Sequence, residues 1–146
     1  MVGMRLHTAI AALLIVALPA VATAQGSADD KGVRAAVEQY FKGHATGVQA
    51  EMRKAFLPTA HIEGIRDGQL FSRTVDQYVS GFQGKPAADE SSRKRTIDRV
   101  EISGSAAMVG ATLVHGATTF TDYFVLLKVG NEWKIANKVY SSRPTK

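Results

Sequence analysis

Asp122 stands in the run Thr121-Asp122-Tyr123-Phe124-Val125-Leu126-Leu127. In a strand, successive side chains point to opposite faces, so Asp122 shares a face with Phe124 and Leu126, and Tyr123 with Val125 and Leu127. A carboxyl group set among apolar neighbours loses hydration, which favours its neutral form, and a neutral acid could donate a hydrogen bond to a ligand oxygen. His61 and Glu63, two apart in another alternating run, also share a face. That spacing suits an acid–base dyad, a pair of ligands or an exposed polar stripe. Asn137 has the parity of Trp133 and Ile135, and a buried amide there would need a partner and could orient a ligand. Tyr78 and Phe82 are four apart in a helical pattern, so both can reach one interior. His44 and His115 each adjoin a glycine, without the spacing to another His, Asp or Glu that a metal site needs. The sequence therefore points to no metal and no cofactor. It contains no glycine-loop phosphate motif, no Gly-x-Ser-x-Gly elbow and no His-Glu-x-x-His pair, so nucleophilic and zinc hydrolases drop out.

The elements that must hold these residues follow from apolar periodicity. Val33, Ala36, Val37, Tyr40 and Phe41 are spaced by three and four, which predicts an amphipathic helix capped by Asp29 or Asp30 and ending near Gly43. Val48, Met52, Ala55 and Phe56 predict a second, shorter helix stopped at Leu57-Pro58. The period then changes to two over residues 59–64. Asp67-Gly68 reads as a hairpin turn, and residues 69–72 as the returning strand. Residues 74–82 carry Val75, Tyr78, Val79 and Phe82 at helical spacing, and residues 83–92 read as an exposed loop. Four β-branched and aromatic segments follow, at 95–102, 106–114, 119–129 and 133–141. The short gaps between them predict an antiparallel meander. Helices first and a meander afterwards is an α+β layout, with helices covering one face of the sheet.

The N-terminus has the layout of an export signal. Arg5 supplies the positive end, residues 9–20 an apolar run, and Ala22-Thr23-Ala24 the small residues before a cleavage point after Ala24. The run is about a dozen residues where a bilayer span needs about 20, so no membrane anchor is expected. The expected organisation is a signal peptide at 1–24, a flexible lead at 25–32 and one domain at 33–144, in a periplasmic or secreted protein. The absence of cysteine excludes a disulfide staple, thiol chemistry and a lipidated cysteine. The formal charge is +5. Its densest basic cluster, Arg93-Lys94-Arg95, lacks the interleaved aromatics of a nucleic-acid surface, and no nucleic-acid partner is expected.

Several strings carry a resemblance: Val37-Glu38-Gln39-Tyr40-Phe41, Met52, Ala55-Phe56, Pro58-x-Ala60 and Gly64-x-x-Asp67-Gly68-x-Leu70. Later come Phe120-Thr121-Asp122-Tyr123, Leu126-Leu127-Lys128-Val129, Glu132-Trp133-Lys134-Ile135 and Asn137-Lys138. Over residues 33–144 the chain resembles the "putative lumazine-binding" family of the nuclear transport factor 2-like and SnoaL-like superfamily. The resemblance implies a cone-shaped domain, helices wrapped by a curved antiparallel sheet, with a pocket inside and homodimers through the sheet's outer face. The superfamily includes ketosteroid isomerases, dehydratases and cyclases beside members that only bind or pair. Asp122 falls where ketosteroid isomerases place a neutral acid, and Tyr40 where they place a tyrosine, a pair that acts on an oxyanion. Their base aligns near Gly64, which has no side chain, and the adjacent Glu63 projects from the other face. The His before the proline and the Asp after it that the family commonly has are Leu57 and Thr59 here.

The leading expectation is an exported domain that binds a ring-shaped or carbonyl-bearing small molecule in an apolar pocket. Tyr40 and Asp122 would orient the ligand, with His61, Tyr78 and Asn137 nearby, in a homodimer. One alternative is a cofactor-free isomerase, dehydratase or cyclase using Asp122 and His61 as acid and base. The other is a dimerisation or docking scaffold with a closed interior.

Overall fold

The computed structural model describes residues 20–146. Residues 1–19, with Arg5 and most of the apolar run assigned to the export signal, lie outside the described residues. The first element, α1, spans Ala20–Thr46. It is followed by α2 (Gln49–Arg53), β1 (Phe56–Arg66), β2 (Gln69–Thr74) and α3 (Val75–Val79). A 3-10 turn at Glu90–Ser92 then leads into β3 (Lys94–Ser103), β4 (Ala106–His115), β5 (Thr118–Val129) and β6 (Glu132–Pro144).

The six strands form one curved sheet in the order β2-β1-β6-β5-β4-β3. The meander β3–β6 is antiparallel throughout, as the short gaps require. The pairing of β1 with β6 is parallel. No local signal announces it, because its partners lie about as far apart in sequence as the domain allows. It brings the β1–β2 hairpin beside the C-terminal strand and leaves β2 and β3 as the two edges of the sheet. The turn of that hairpin has Asp67 at φ 51° and Gly68 at φ 75°. Two consecutive positive φ angles match the right-handed twist of the flanking strands, which is why Asp-Gly signals it.

The apolar stripe of α1 lies against the sheet, with Val33 and Val37 fully buried and Tyr40 almost so. They pack with Met52, Phe56, Ile62, Leu113, Phe124, Leu126 and Ile135 in one continuous core. The helix starts earlier than its periodicity indicates and runs through residues 25–32, the stretch expected as a flexible lead. Asp29 is not a cap. Its carboxylate accepts hydrogen bonds from Lys128 Nζ at 2.6 Å and Trp133 Nε1 at 3.2 Å, tying this part of α1 to the β5–β6 hairpin. Asp30 is not a cap either and pairs with Arg34 one turn on, at 2.9 Å. Phe56 belongs to β1 rather than to the second helix, which ends at Arg53, and the Leu57-Pro58 pair expected to stop that helix lies within the strand. Pro58 is tolerated because β2 pairs with β1 only from His61 onward. The third helix is also shorter than its periodicity suggests. Thr74 and Gln77 form a reciprocal capping box at its start, and it stops at Val79.

One irregularity sets the interior of the sheet. Leu126 pairs with Ile135 but Val125 pairs with Asn137, so Ala136 is an extra residue in β6. A bulge of this kind reverses the inward–outward alternation beyond it. Trp133 and Ile135 are buried before the bulge. After it the buried residues are Lys138 and Tyr140, while Val139 is 44% exposed.

Gly64 of β1 lies opposite Tyr140. A Cβ at residue 64 would sit 2.7 Å from Cε1 and Cζ of that ring, so glycine leaves the space the tyrosine occupies. Gly64→Ala should therefore destabilise the domain by about 1–3 kcal/mol through overpacking, read as a lower urea midpoint with an unchanged slope.

Candidate functional site

Between α1, α3, the β1–β2 hairpin and the concave face of the meander lies a cavity of about 380 Å³. That size falls within the range of small-molecule sites, about 300–1,000 Å³. Its lining includes Tyr40 and His44 from α1, Tyr78 and Phe82 from α3 and the segment after it, and Leu113 and His115 from β4. Phe120 and Asp122 come from β5, and Lys138 and Tyr140 from β6. Arg66, Phe71 and Arg73 of the hairpin and Arg93 complete it, with Gly81.

At the inner end three polar side chains close on one another. Tyr40 Oη donates to Asp122 Oδ2 at 2.8 Å. Lys138 Nζ donates to the same carboxylate oxygen at 2.8 Å and to Tyr40 Oη at 2.8 Å. Asp122 is 1% exposed and Lys138 4%, so this is a buried ion pair. The strand register makes it possible. Phe124 lies opposite Lys138 and Asp122 opposite Tyr140, which puts the ammonium diagonally across from the carboxylate on the inner face. Burial lowers the pKa of Lys138, opposed by the neighbouring Asp122. Burial, and then the charge of Asp122, raise that of Tyr40 well above its ordinary value. The tyrosine therefore stays a neutral donor.

This geometry corrects the expected chemistry of Asp122. It is the partner of an ammonium, not a lone acid held neutral by apolar walls. The Tyr40 hydroxyl gives its hydrogen to Asp122, so the two are not a pair of free donors aimed at a ligand oxyanion. What the cluster offers instead is an acceptor. Asp122 Oδ1 is buried and has no hydrogen-bond partner among the described residues. An unpaired buried acceptor costs about 1–3 kcal/mol, and such orphans are uncommon enough to call for a reason.

A second polar pair lies one helical turn along α1. His44 Nε2 and Tyr78 Oη are 3.0 Å apart. Burial, then the charge of Lys138, hold the His44 pKa well below its ordinary range, and burial raises that of Tyr78. His115 has its ring centroid 5.4 Å from that of His44 and a buried Nε2 without a partner among the described residues. Its pKa is lowered to about 4, chiefly by burial and then by Arg95 and Arg93, so both imidazoles are neutral at pH 7.

Of the residues singled out from sequence, Tyr40, Tyr78 and Asp122 meet in the cavity. His61 and Asn137 do not. Both lie on the opposite side of the sheet, where Asn137 Oδ1 accepts from the His61 backbone N–H at 3.1 Å and Asn137 Nδ2 donates to Glu63 Oε2 at 3.3 Å. Ser72 Oγ donates to Glu63 Oε1 at 3.0 Å, which completes a polar stripe on that face. The bulge at Ala136 is the reason Asn137 was misplaced, since it turns that side chain outward and Lys138 inward. An acid–base pairing of Asp122 with His61 is excluded by the same geometry.

Sequence reasoning missed Lys138, Arg66 and Arg73, and weighed His44 and His115 only as metal ligands. The string Asn137-Lys138-Val139-Tyr140 fits either strand parity, and counting on from Ile135 selects the wrong one. The basic cluster at residues 93–95 is partly neutralised. Arg93 pairs with Asp89 at 2.9 Å, and Arg95 binds both oxygens of Glu90 at 2.6 and 2.9 Å.

Residues 28–141 match the family described as "Putative lumazine-binding", and the chain belongs to that family. Solved structures agree on the fold. A nuclear transport factor 2-like protein of unknown function from Silicibacter pomeroyi is 24% identical, with a TM-score of 0.73 over 81% of this chain and 98% of that one. Another from Shewanella baltica is 26% identical, with a TM-score of 0.71 over 80% and 95%. A ketosteroid isomerase-like protein from Erwinia carotovora is 14% identical, with a TM-score of 0.56 over 77% and 94%, a likeness of fold alone. No curated protein matches the chain.

Removing one member of a buried ion pair strands the other. Lys138→Met should cost about 3–5 kcal/mol in chemical denaturation. In a double-mutant cycle with Asp122→Asn, the loss in the double variant should be smaller than the sum of the two single losses.

Proposed function

We propose that this chain is an exported small-molecule-binding domain whose ligand occupies the cavity between α1 and the meander. The observation that carries this reading is Asp122, a cavity-lining residue whose buried Oδ1 has no partner among the described residues, in a cavity whose walls include Tyr78, Phe82, Leu113 and Phe120. A ligand hydroxyl or N–H would satisfy it, and the aromatic walls would enclose a ring. The family description is consistent with such a ligand, since lumazine is a flat heterocycle with hydrogen-bond donors and acceptors on its rim.

The position of the isomerase base carries no carboxylate, and the bases the cavity does present are the neutral imidazoles of His44 and His115, so binding is proposed and no turnover is assigned. The isomerase-like base position is Gly64, the neighbouring Glu63 is engaged on the other face, and Tyr40 and Lys138 are committed to Asp122. Proton abstraction needs a base within hydrogen-bond reach of the substrate. Native mass spectrometry of the protein purified from its own host should show a non-covalent adduct. Leu113→Trp, which fills the cavity from β4, should lose the adduct while keeping a cooperative unfolding transition. A wild-type preparation free of adduct, and unmoved in Tm by a broad panel of ring compounds, would count against the reading.

The outer face of the sheet supports a second element of the proposal, self-association. Met108 is 55% exposed, Tyr123 59%, Val125 45% and Val139 44%. Met108 lies opposite Val125 and Tyr123 opposite Val139, so they form one contiguous apolar patch across β4, β5 and β6. A patch of this kind is a cost in water unless another surface covers it, and a second copy of the chain is the partner proposed here. Sedimentation equilibrium should give a dimer for the parent and a folded monomer for Val125→Glu.

A further inference from the structure

The charges around the cavity are unevenly matched. Its lining holds four cations, Arg66, Arg73, Arg93 and Lys138, against one carboxylate, Asp122. Lys138 is answered by Asp122 and Arg93 by Asp89. Arg66 and Arg73 have no carboxylate within ion-pair distance among the described residues. They flank the ring of Phe71, with guanidinium carbons 3.9 and 5.0 Å from its centroid. Arg66 Nε also donates to Tyr140 Oη at 2.6 Å, which fixes one edge of its guanidinium and leaves the remaining N–H groups for another acceptor.

Both arginines come from the strands joined by the Asp67-Gly68 turn, Arg66 at the end of β1 and Arg73 near the end of β2. Phe71 between them packs on Tyr140, centroids 6.1 Å apart, and Tyr140 lies opposite Asp122 in the sheet. One wall thus runs from the Asp122 carboxylate at the inner end to a pair of cations at the rim. Stacking on an aromatic face holds a guanidinium in place at little further entropic cost, and its planar fork matches a carboxylate.

We propose that the ligand is a ring-bearing organic acid. Its carboxylate pairs with the free N–H groups of Arg66 at the rim, where Arg73 on the same Phe71 ring adds a second positive charge. Its ring lies among Tyr78, Phe82 and Phe120, and a hydroxyl or N–H at its far end is directed to the Tyr40–Asp122–Lys138 end of the cavity. This rests on the cavity being the binding site and adds the charge and polarity of what enters it. The two ends have opposite demands, an anion at the rim and a donor within, so a ligand reading them in reverse is disfavoured at both.

Three probes separate these demands: para-hydroxycinnamate, its methyl ester, and cinnamate. In calorimetric titrations of the full protein, the hydroxy acid should bind about tenfold or more tighter than its ester. It should also bind several-fold tighter than cinnamate. In Arg66→Gln/Arg73→Gln, whose substitutions lie at exposed positions, the acid-over-ester preference should fall to within about twofold while the ester keeps its affinity. Raising the salt concentration should shrink the same preference in the parent, because the rim is open to counterions. Equal affinity for acid and ester, or a preference that survives the double substitution, would overturn the inference and leave the cavity as a site for neutral rings. Failure of all three probes to bind would overturn the inference, while the cavity reading stands or falls separately on the native adduct and its loss in Leu113→Trp.

Discussion

The interior of this domain depends on the extra residue at Ala136. Without the bulge, the alternation of β6 that buries Trp133 and Ile135 would carry Asn137 and Val139 inward and Lys138 and Tyr140 outward. With it, an ammonium and a phenol enter the concave face, diagonal and opposite to Asp122. The ion pair, the packing of Tyr140 against Gly64 and the seat of Phe71 against Tyr140 all follow from that reversal. Bulges are often found where a sheet re-aims a side chain beside a functional site, and this one re-aims two.

A buried ion pair is weak support for stability as such, since desolvating both charges consumes most of what their attraction returns. Here its consequence is order. Tyr40, Asp122 and Lys138 each hold the other two, and they join α1 to β5 and β6 at a point where apolar contacts alone would allow sliding. The arrangement also leaves one carboxylate oxygen unused, so the fold keeps an acceptor that its own residues do not satisfy. Polar groups at the two ends of the cavity differ in character. The inner end is a closed network with one open valence, while the rim carries cations that water still reaches.

The two faces of the sheet divide the work. Alternate residues of β5 send Asp122, Phe124 and Leu126 inward to helix and cavity, and Tyr123, Val125 and Leu127 outward. The outer face is apolar at Met108, Tyr123, Val125 and Val139 and polar where Asn137 of β6, Glu63 of β1 and Ser72 of β2 join in hydrogen bonds. A strand that is apolar on both faces is usual where both are covered, which is the physical ground for the self-association proposed above.

Much of this was legible without coordinates. The helical spacing of Val33, Val37 and Tyr40 marked the buried face of α1, and Asp67-Gly68 marked a two-residue turn. The alternation around Asp122 put its carboxyl on the core side of β5. Each is a local rule, in which the period of a helix or strand decides which side chains share a face. The family strings extended that to the whole fold. What needed tertiary structure was everything that joins distant segments: the parallel pairing of β1 with β6, the bulge that turned Lys138 in and Asn137 out, and the meeting of Arg66 and Arg73 around Phe71. A bulge adds one residue without a composition signal of its own, and the string beyond it is compatible with either parity. The sequence could therefore say that Asp122 is buried. Only the folded sheet could supply the cation beside it, and with that cation the change of Asp122 from a proposed donor to an acceptor.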